Sequence, residues 1–73
     1  MNIKMEVGLK LKEARRNAGF TQKAVAEKMF MTQQQYSRFE NGIFELNYEQ
    51  ILYLCRLYEI TVSELFDVDL ENL

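Results

Sequence analysis

A chain of 73 residues, 48% of them apolar, suffices for one small domain and not for two. It contains no histidine, which removes the commonest general base and the commonest zinc ligand, and its single cysteine, Cys55, excludes an internal disulfide. No apolar run approaches the ~18 residues of a membrane span, and Met1–Glu6 lacks the apolar core of a secretory signal. The expectation is therefore a cytoplasmic protein without membrane attachment, metal, cofactor or catalytic constellation.

Charge is unevenly distributed. Residues 1–42 carry eight basic side chains against four acidic ones, a net +4, whereas residues 43–73 carry Arg56 against seven acids, a net −6. One end can meet a polyanion that the other end repels.

The hydrophobic spacing predicts five short helices and no strand. A first helix runs from about Met5 to Ala18, with Val7, Leu11, Ala14 and Ala18 on one face and Asn17-Ala18-Gly19 closing it. Thr21 caps a second helix that continues to about Met29 and buries Val25 and Met29 beside Ala24 and Ala26. Thr32 caps a third helix to about Glu40. Thr32-Gln33-Gln34-Gln35 has the capping-box pattern, and Tyr36 and Phe39 turn inward before Asn41-Gly42 ends the helix. A fourth, capped by Asn47, reaches about Glu59 with Ile51, Leu54, Cys55 and Tyr58 inside. Thr61-Val62-Ser63-Glu64 opens a fifth, with Leu65 and Phe66 inward. In domain terms, residues 1–6 read as an N-terminal arm, 7–66 as the domain and 67–73 as an acidic tail.

Only about three residues, Phe30 to Thr32, separate the second and third helices. So short a turn makes them cross steeply, as in a helix-turn-helix, where the second of the pair enters the DNA major groove. With Tyr36 and Phe39 inward, the third helix shows Gln33, Gln34, Ser37 and Arg38 outward. Glutamine pairs bidentately with adenine and arginine with guanine. An ordinary solvated helix face prefers Glu and Lys, and no Glu occurs in this stretch before position 40.

Four segments carry a family resemblance. Leu11-Lys12-Glu13-Ala14-Arg15-Arg16-Asn17-Ala18-Gly19-Phe20-Thr21-Gln22 resembles the first helix and turn of the Cro/C1-type (XRE family) regulators, and Ala24-Val25-Ala26-Glu27-Lys28-Met29 resembles their second helix. Tyr36-Ser37-Arg38-Phe39-Glu40-Asn41-Gly42 is similar to the ending of their third helix, and Ile60-Thr61-Val62-Ser63-Glu64-Leu65-Phe66 to their closing helix. The resemblance implies an all-α, five-helix, lambda-repressor-like DNA-binding domain with its helix-turn-helix at helices 2 and 3. It implies base reading by Gln33, Gln34, Ser37 and Arg38. Phosphate contact falls to Gln22, Lys23, Thr32 and Asn41, with Lys10, Lys12 and Arg16 as weaker candidates. Arg15 and Glu40 match an ion pair joining helix 1 to helix 3.

The chain departs from the family at two places. Phe30 stands where the turn usually has glycine, and Ile43-Phe44-Glu45-Leu46 replaces a loop that is usually basic and then proline-containing. Leu46, Leu52, Tyr53 and Leu57 offer apolar surface for a second copy. The leading expectation is a homodimeric transcriptional regulator that binds a pseudo-palindromic double-stranded DNA operator. The alternative is a protein-interaction module on the same fold, antitoxin-like or partner to a regulator, docking through Phe30, Ile43 and Phe44.

Overall fold

In a computed structural model, residues 2–67 are described, and they form five helices. These are α1 (Ile3–Ala18), α2 (Gln22–Lys28), α3 (Gln33–Glu40), α4 (Tyr48–Tyr58) and α5 (Val62–Leu65). No strand occurs among the described residues, and none of these helices is long and apolar enough to cross a membrane. Residues 68–73 of the expected acidic tail lie outside the described segment.

Side-chain caps set the starts of the helices. Thr21, Thr32, Asn47 and Thr61 each accept a hydrogen bond from the backbone N–H three residues on, which satisfies donors that a helix start leaves unpaired. Thr32 and Asn47 form full capping boxes with Gln35 and Gln50. The first helix begins at Ile3 rather than near Met5, because Asn2 accepts from the Met5 N–H at 3.2 Å. Residues 3–6 of the expected arm are thus the first turn of α1.

Leu11, Val25, Tyr36, Leu54 and Leu65 are fully buried and form the centre of the core. α3 packs against α2 and α1, and α4 and α5 close the other side of α1. Three expectations change. Ala18 is exposed, and the buried side of α1 instead includes Gly8 and Arg15. Phe66 is 40% exposed, because α5 ends at Leu65 and only that side chain points inward. Leu46 and Leu57 pack half-buried against the core, which leaves only Leu52 and Tyr53 of the four dimer candidates as exposed surface.

Two glycines set how closely α1 approaches the end of α3. A Cβ at Gly8 would collide with the backbone carbonyls of Glu40 and Phe39, and one at Gly42 with the backbone of Met5. Gly42 is also left-handed, at φ 72°, as a residue just past a helix end commonly is.

Beside that close contact, Arg15 and Glu40 form a buried ion pair. Arg15 Nε donates to Glu40 Oε2 at 2.7 Å and Nη2 to Oε1 at 3.2 Å, while Nη1 donates to the Phe20 carbonyl at 2.9 Å. The Gln22 amide adds a third donor to the carboxylate at 3.0 Å. The Tyr36 and Tyr58 hydroxyls share a hydrogen bond of 2.6 Å. Burial alone would raise the Glu40 pKa, but the hydrogen bonds from Arg15 and Gln22, with the charge of Arg15, bring it below its ordinary value. On Arg15 the hydrogen bond to Glu40 outweighs the opposing effect of burial and raises the pKa. Burial drives both tyrosines upward, Tyr58 to about 12.

Phe30 adopts φ 57°, a conformation that costs an L-residue about 1–2 kcal/mol, and its side chain is 97% exposed. No packing of the ring offsets the strain. Phe30→Gly is expected to stabilise the domain by about 1 kcal/mol, a rise of roughly 4–8 °C in Tm for a chain of this size, measured by thermal unfolding. Glu40→Gln leaves Arg15 buried without its counter-charge and is expected to destabilise by about 3–5 kcal/mol at neutral pH. Because the folded carboxyl titrates below its unfolded value, the contribution of Glu40 is complete above the ordinary carboxylate range. It is lost as pH falls through the lower folded pKa. Urea unfolding should therefore show the gap between wild type and Glu40→Gln shrinking below about pH 4.

Candidate nucleic-acid interface

α3 presents one outward face, built by cap chemistry and by the inward anchoring of two aromatics. Tyr36 and Phe39 are buried, edge to face with ring centroids 6.4 Å apart. At 100° per residue Gln34 and Arg38 fall opposite Tyr36 and Ser37 lies on the flank, Ser37 and Arg38 being half-buried, while Gln33 stays exposed at the open first turn of the helix. The capping box removes the third glutamine from that surface, since Gln35 Oε1 folds back to accept the Thr32 N–H at 2.8 Å. Gln33 and Gln34 remain exposed, with both amides unpaired among the described residues. An unpaired exposed amide can both donate and accept, as the adenine N6/N7 edge requires.

The far end of the face is more ordered. Asn41 Nδ2 donates to Ser37 Oγ at 3.1 Å, which leaves the serine hydroxyl proton for another acceptor. The Arg38 guanidinium carbon lies 5.5 Å from the centroid of the Phe44 ring, within cation–π range. The backbone after α3 folds back onto the same residue, with the Ile43 and Phe44 N–H groups donating to the Arg38 carbonyl at 2.9 and 3.3 Å.

The expected phosphate group separates into engaged and available members. Lys23 is exposed, and Thr32 is exposed at the α3 cap. Gln22 is half-buried with one amide N–H on Glu40, so its second N–H is the group that can reach outward. The side chain of Asn41 is held by Ser37. Of the weaker candidates, Arg16 is exposed, but Lys10 lines a shallow groove with Glu13, Glu64 and Asp67 at the acidic end of the domain. That surroundings repel a phosphate. Lys28 is drawn over the Phe20 ring, 5.8 Å from its centroid.

The expected apolar docking patch is not one surface. Phe30 lines a groove with Met29, Gln50 and Tyr53, whereas Phe44 lines a different one with Ile3, Val7, Leu46 and Phe66. Sequence reasoning missed three contacts: Gln22 to Glu40, Tyr36 to Tyr58, and Phe44 under Arg38. The first two join residues 18 and 22 positions apart, with no local signal. The third had one, because a glycine ending a helix commonly folds the following residues back over its last turn.

The family described as "Helix-turn-helix domain" matches residues 6–66. The chain is 35% identical over 65 residues to the HTH-type transcriptional regulator ImmR of Bacillus subtilis (strain 168), an alignment covering 89% of this chain and 51% of that protein. The chain thus spans about half the length of that relative. Five helices and no strand among the described residues, a tight turn between the second and third, and the match across residues 6–66 lead to one assignment: the chain belongs to the Cro/C1-type (XRE) family of DNA-binding helix-turn-helix transcriptional regulators.

Proposed function

We propose that the chain binds double-stranded DNA sequence-specifically as a homodimer, with α3 in the major groove and no enzymatic activity. The observation that carries this reading is the outward face of α3. Two unpaired glutamines and an oriented arginine occupy it, while the rest of the helix is fixed inward by Tyr36, Phe39 and Glu40. Gln33 and Gln34 would read adenine, Arg38 guanine, and Ser37 would serve as an adaptable donor. Lys23, Thr32, the free N–H of Gln22 and the backbone around Asn41 would contact phosphates and set the register.

Few exposed basic groups surround this face, so the charge-driven contribution to affinity is small. A second copy would supply the rest by linking two weak half-site contacts. Leu52 and Tyr53, 61% and 40% exposed on α4, are the candidates for that contact. Two α3 helices would then lie about 34 Å apart along a pseudo-palindrome. Docking of a protein through Phe30, Ile43 and Phe44 is the weaker reading, since Phe30 and Phe44 line separate grooves.

Selection of bound duplexes from a random pool tests the proposal, with enrichment of an inverted repeat as the expected result. An unenriched pool from folded protein would refute it. Gln33→Ala and Gln34→Ala are each expected to relax the preference at one position per half-site and to cost about 1–3 kcal/mol against the selected site. Lys23→Ala should weaken all sequences alike and reduce the salt dependence by about one charge, as titrations across salt concentrations will show.

A further inference from the structure

We propose that Phe44 is a positioning residue for specificity. Its ring holds the Arg38 guanidinium in place at the end of α3, so that this side chain selects a G·C pair at one position of each half-site. The proposal rests on the DNA-binding reading above and adds to it a residue outside the reading helix.

Three observations carry it. The guanidinium carbon of Arg38 is 5.5 Å from the Phe44 ring centroid. The loop bearing the ring is tied to the residue it supports, because the Ile43 and Phe44 N–H groups both donate to the Arg38 carbonyl and the Gly42 N–H donates to that of Phe39. The ring itself is anchored: Phe44 is half-exposed and also lines an apolar groove with Ile3, Val7, Leu46 and Ile51, between the start of α1 and α4. The backbone and the groove thus fix the ring, and the ring fixes the cation.

The chemistry explains why this matters for sequence choice. An arginine free in solvent samples many rotamers and must lose them to form a bidentate pair. A guanidinium held against an aromatic face keeps its in-plane N–H groups for a partner, and a guanine O6/N7 edge takes two of them in parallel. Arg38 is also half-buried, so its conformational freedom is already reduced before DNA arrives. The interaction is with the face of an aromatic ring, so tyrosine can replace Phe44 and an aliphatic residue of similar bulk cannot.

The test compares wild type, Phe44→Leu, Phe44→Tyr and Arg38→Ala by selection from a random duplex pool, with competition titrations on the winning site and its single-base variants. The position lost in Arg38→Ala identifies the pair that this arginine reads. Phe44→Leu keeps apolar bulk in the groove and is expected to lower discrimination at that same position about fivefold, the equivalent of an exposed cation–π contact. It should leave the glutamine-read positions and the salt dependence unchanged. Phe44→Tyr should retain wild-type preference. In the free proteins, proton spectra should show the Arg38 Hδ resonances shifted by the ring current in wild type and Phe44→Tyr, and unshifted in Phe44→Leu. If Phe44→Leu keeps full discrimination at the Arg38 position while wild type selects a site, the proposal fails and the DNA reading stands. If Phe44→Leu loses preference equally at every position, the residue only supports the fold and the proposal also fails. A wild type that selects no sequence overturns both.

Discussion

The carboxylate of Glu40 is the point on which the domain turns. It sits at the last residue of α3 and accepts hydrogen bonds from α1 through Arg15 and from α2 through Gln22, at 2.7, 3.2 and 3.0 Å. A negative charge at a helix C-terminus opposes the helix dipole, and a buried one demands compensation. Arg15 supplies both the counter-charge and two of the donors. Such a pair contributes little net stability relative to well-packed apolar residues, and its effect is on geometry. Apolar contacts tolerate sliding and rotation, whereas this arrangement of donors satisfies the carboxylate in one orientation only. A rotation of α3 by one residue would turn Tyr36 toward solvent and push a glutamine amide into the core. The rotational setting that presents Gln33, Gln34, Ser37 and Arg38 outward is thus fixed by the residue that ends the helix.

The parts of this structure legible in the sequence are those governed by neighbours along the chain. Thr21, Thr32, Asn47 and Thr61 could be read as caps because the hydroxyl or amide and its backbone donor are three residues apart. The ion pair was legible only through resemblance, since nothing local connects positions 15 and 40. Gly8 was not legible at all. It lies inside a helix, where glycine normally weakens structure, and its purpose becomes visible only when the carbonyls of Phe39 and Glu40 are found against its α-carbon. The inward assignment of Ala18 failed for a related reason. Periodicity ranks side chains by polarity, and it could not foresee that α1 would bury a glycine and an arginine on its inner side. Leu46 and Leu57 read as surplus apolar surface because the sequence does not show how far the core of a small domain extends around α4.

Strain at the turns shows what the arrangement demands of the backbone. Phe30 and Glu59 both adopt left-handed conformations, at φ 57° and 56°, and each follows a helix end. In each case the next residue's N–H closes back on the preceding helix, Met31 onto Ala26 and Ile60 onto Cys55, at 3.0 and 2.9 Å. That bond satisfies a carbonyl the helix would otherwise leave open. Two such residues together cost about 2–4 kcal/mol, a large share of the 5–15 kcal/mol typical of a folded domain. The turn between α2 and α3 is therefore held against local preference by the packing of Tyr36, Val25 and Leu11 in the core.

The charge distribution links these structural points to the proposed mode of binding. The acidic half of the sequence falls largely on α4, α5 and their loops, and even Lys10 faces Glu64 and Asp67. The loop after α3 contributes Ile43 and Phe44 and no cation. A domain so arranged gains little from sequence-independent attraction to phosphates. Discrimination then depends on base contacts formed without large ordering losses, because there is little other affinity to offset them. Gln33 and Gln34 approach that condition through a capped helix start, which fixes their backbone. Arg38, with its long stem, would not meet it unaided. In the proposed mode of binding, an aromatic residue in place of the family's usual basic loop would lower the attraction to phosphates while ordering the one arginine on the outward face of α3, and so would exchange general affinity for selectivity.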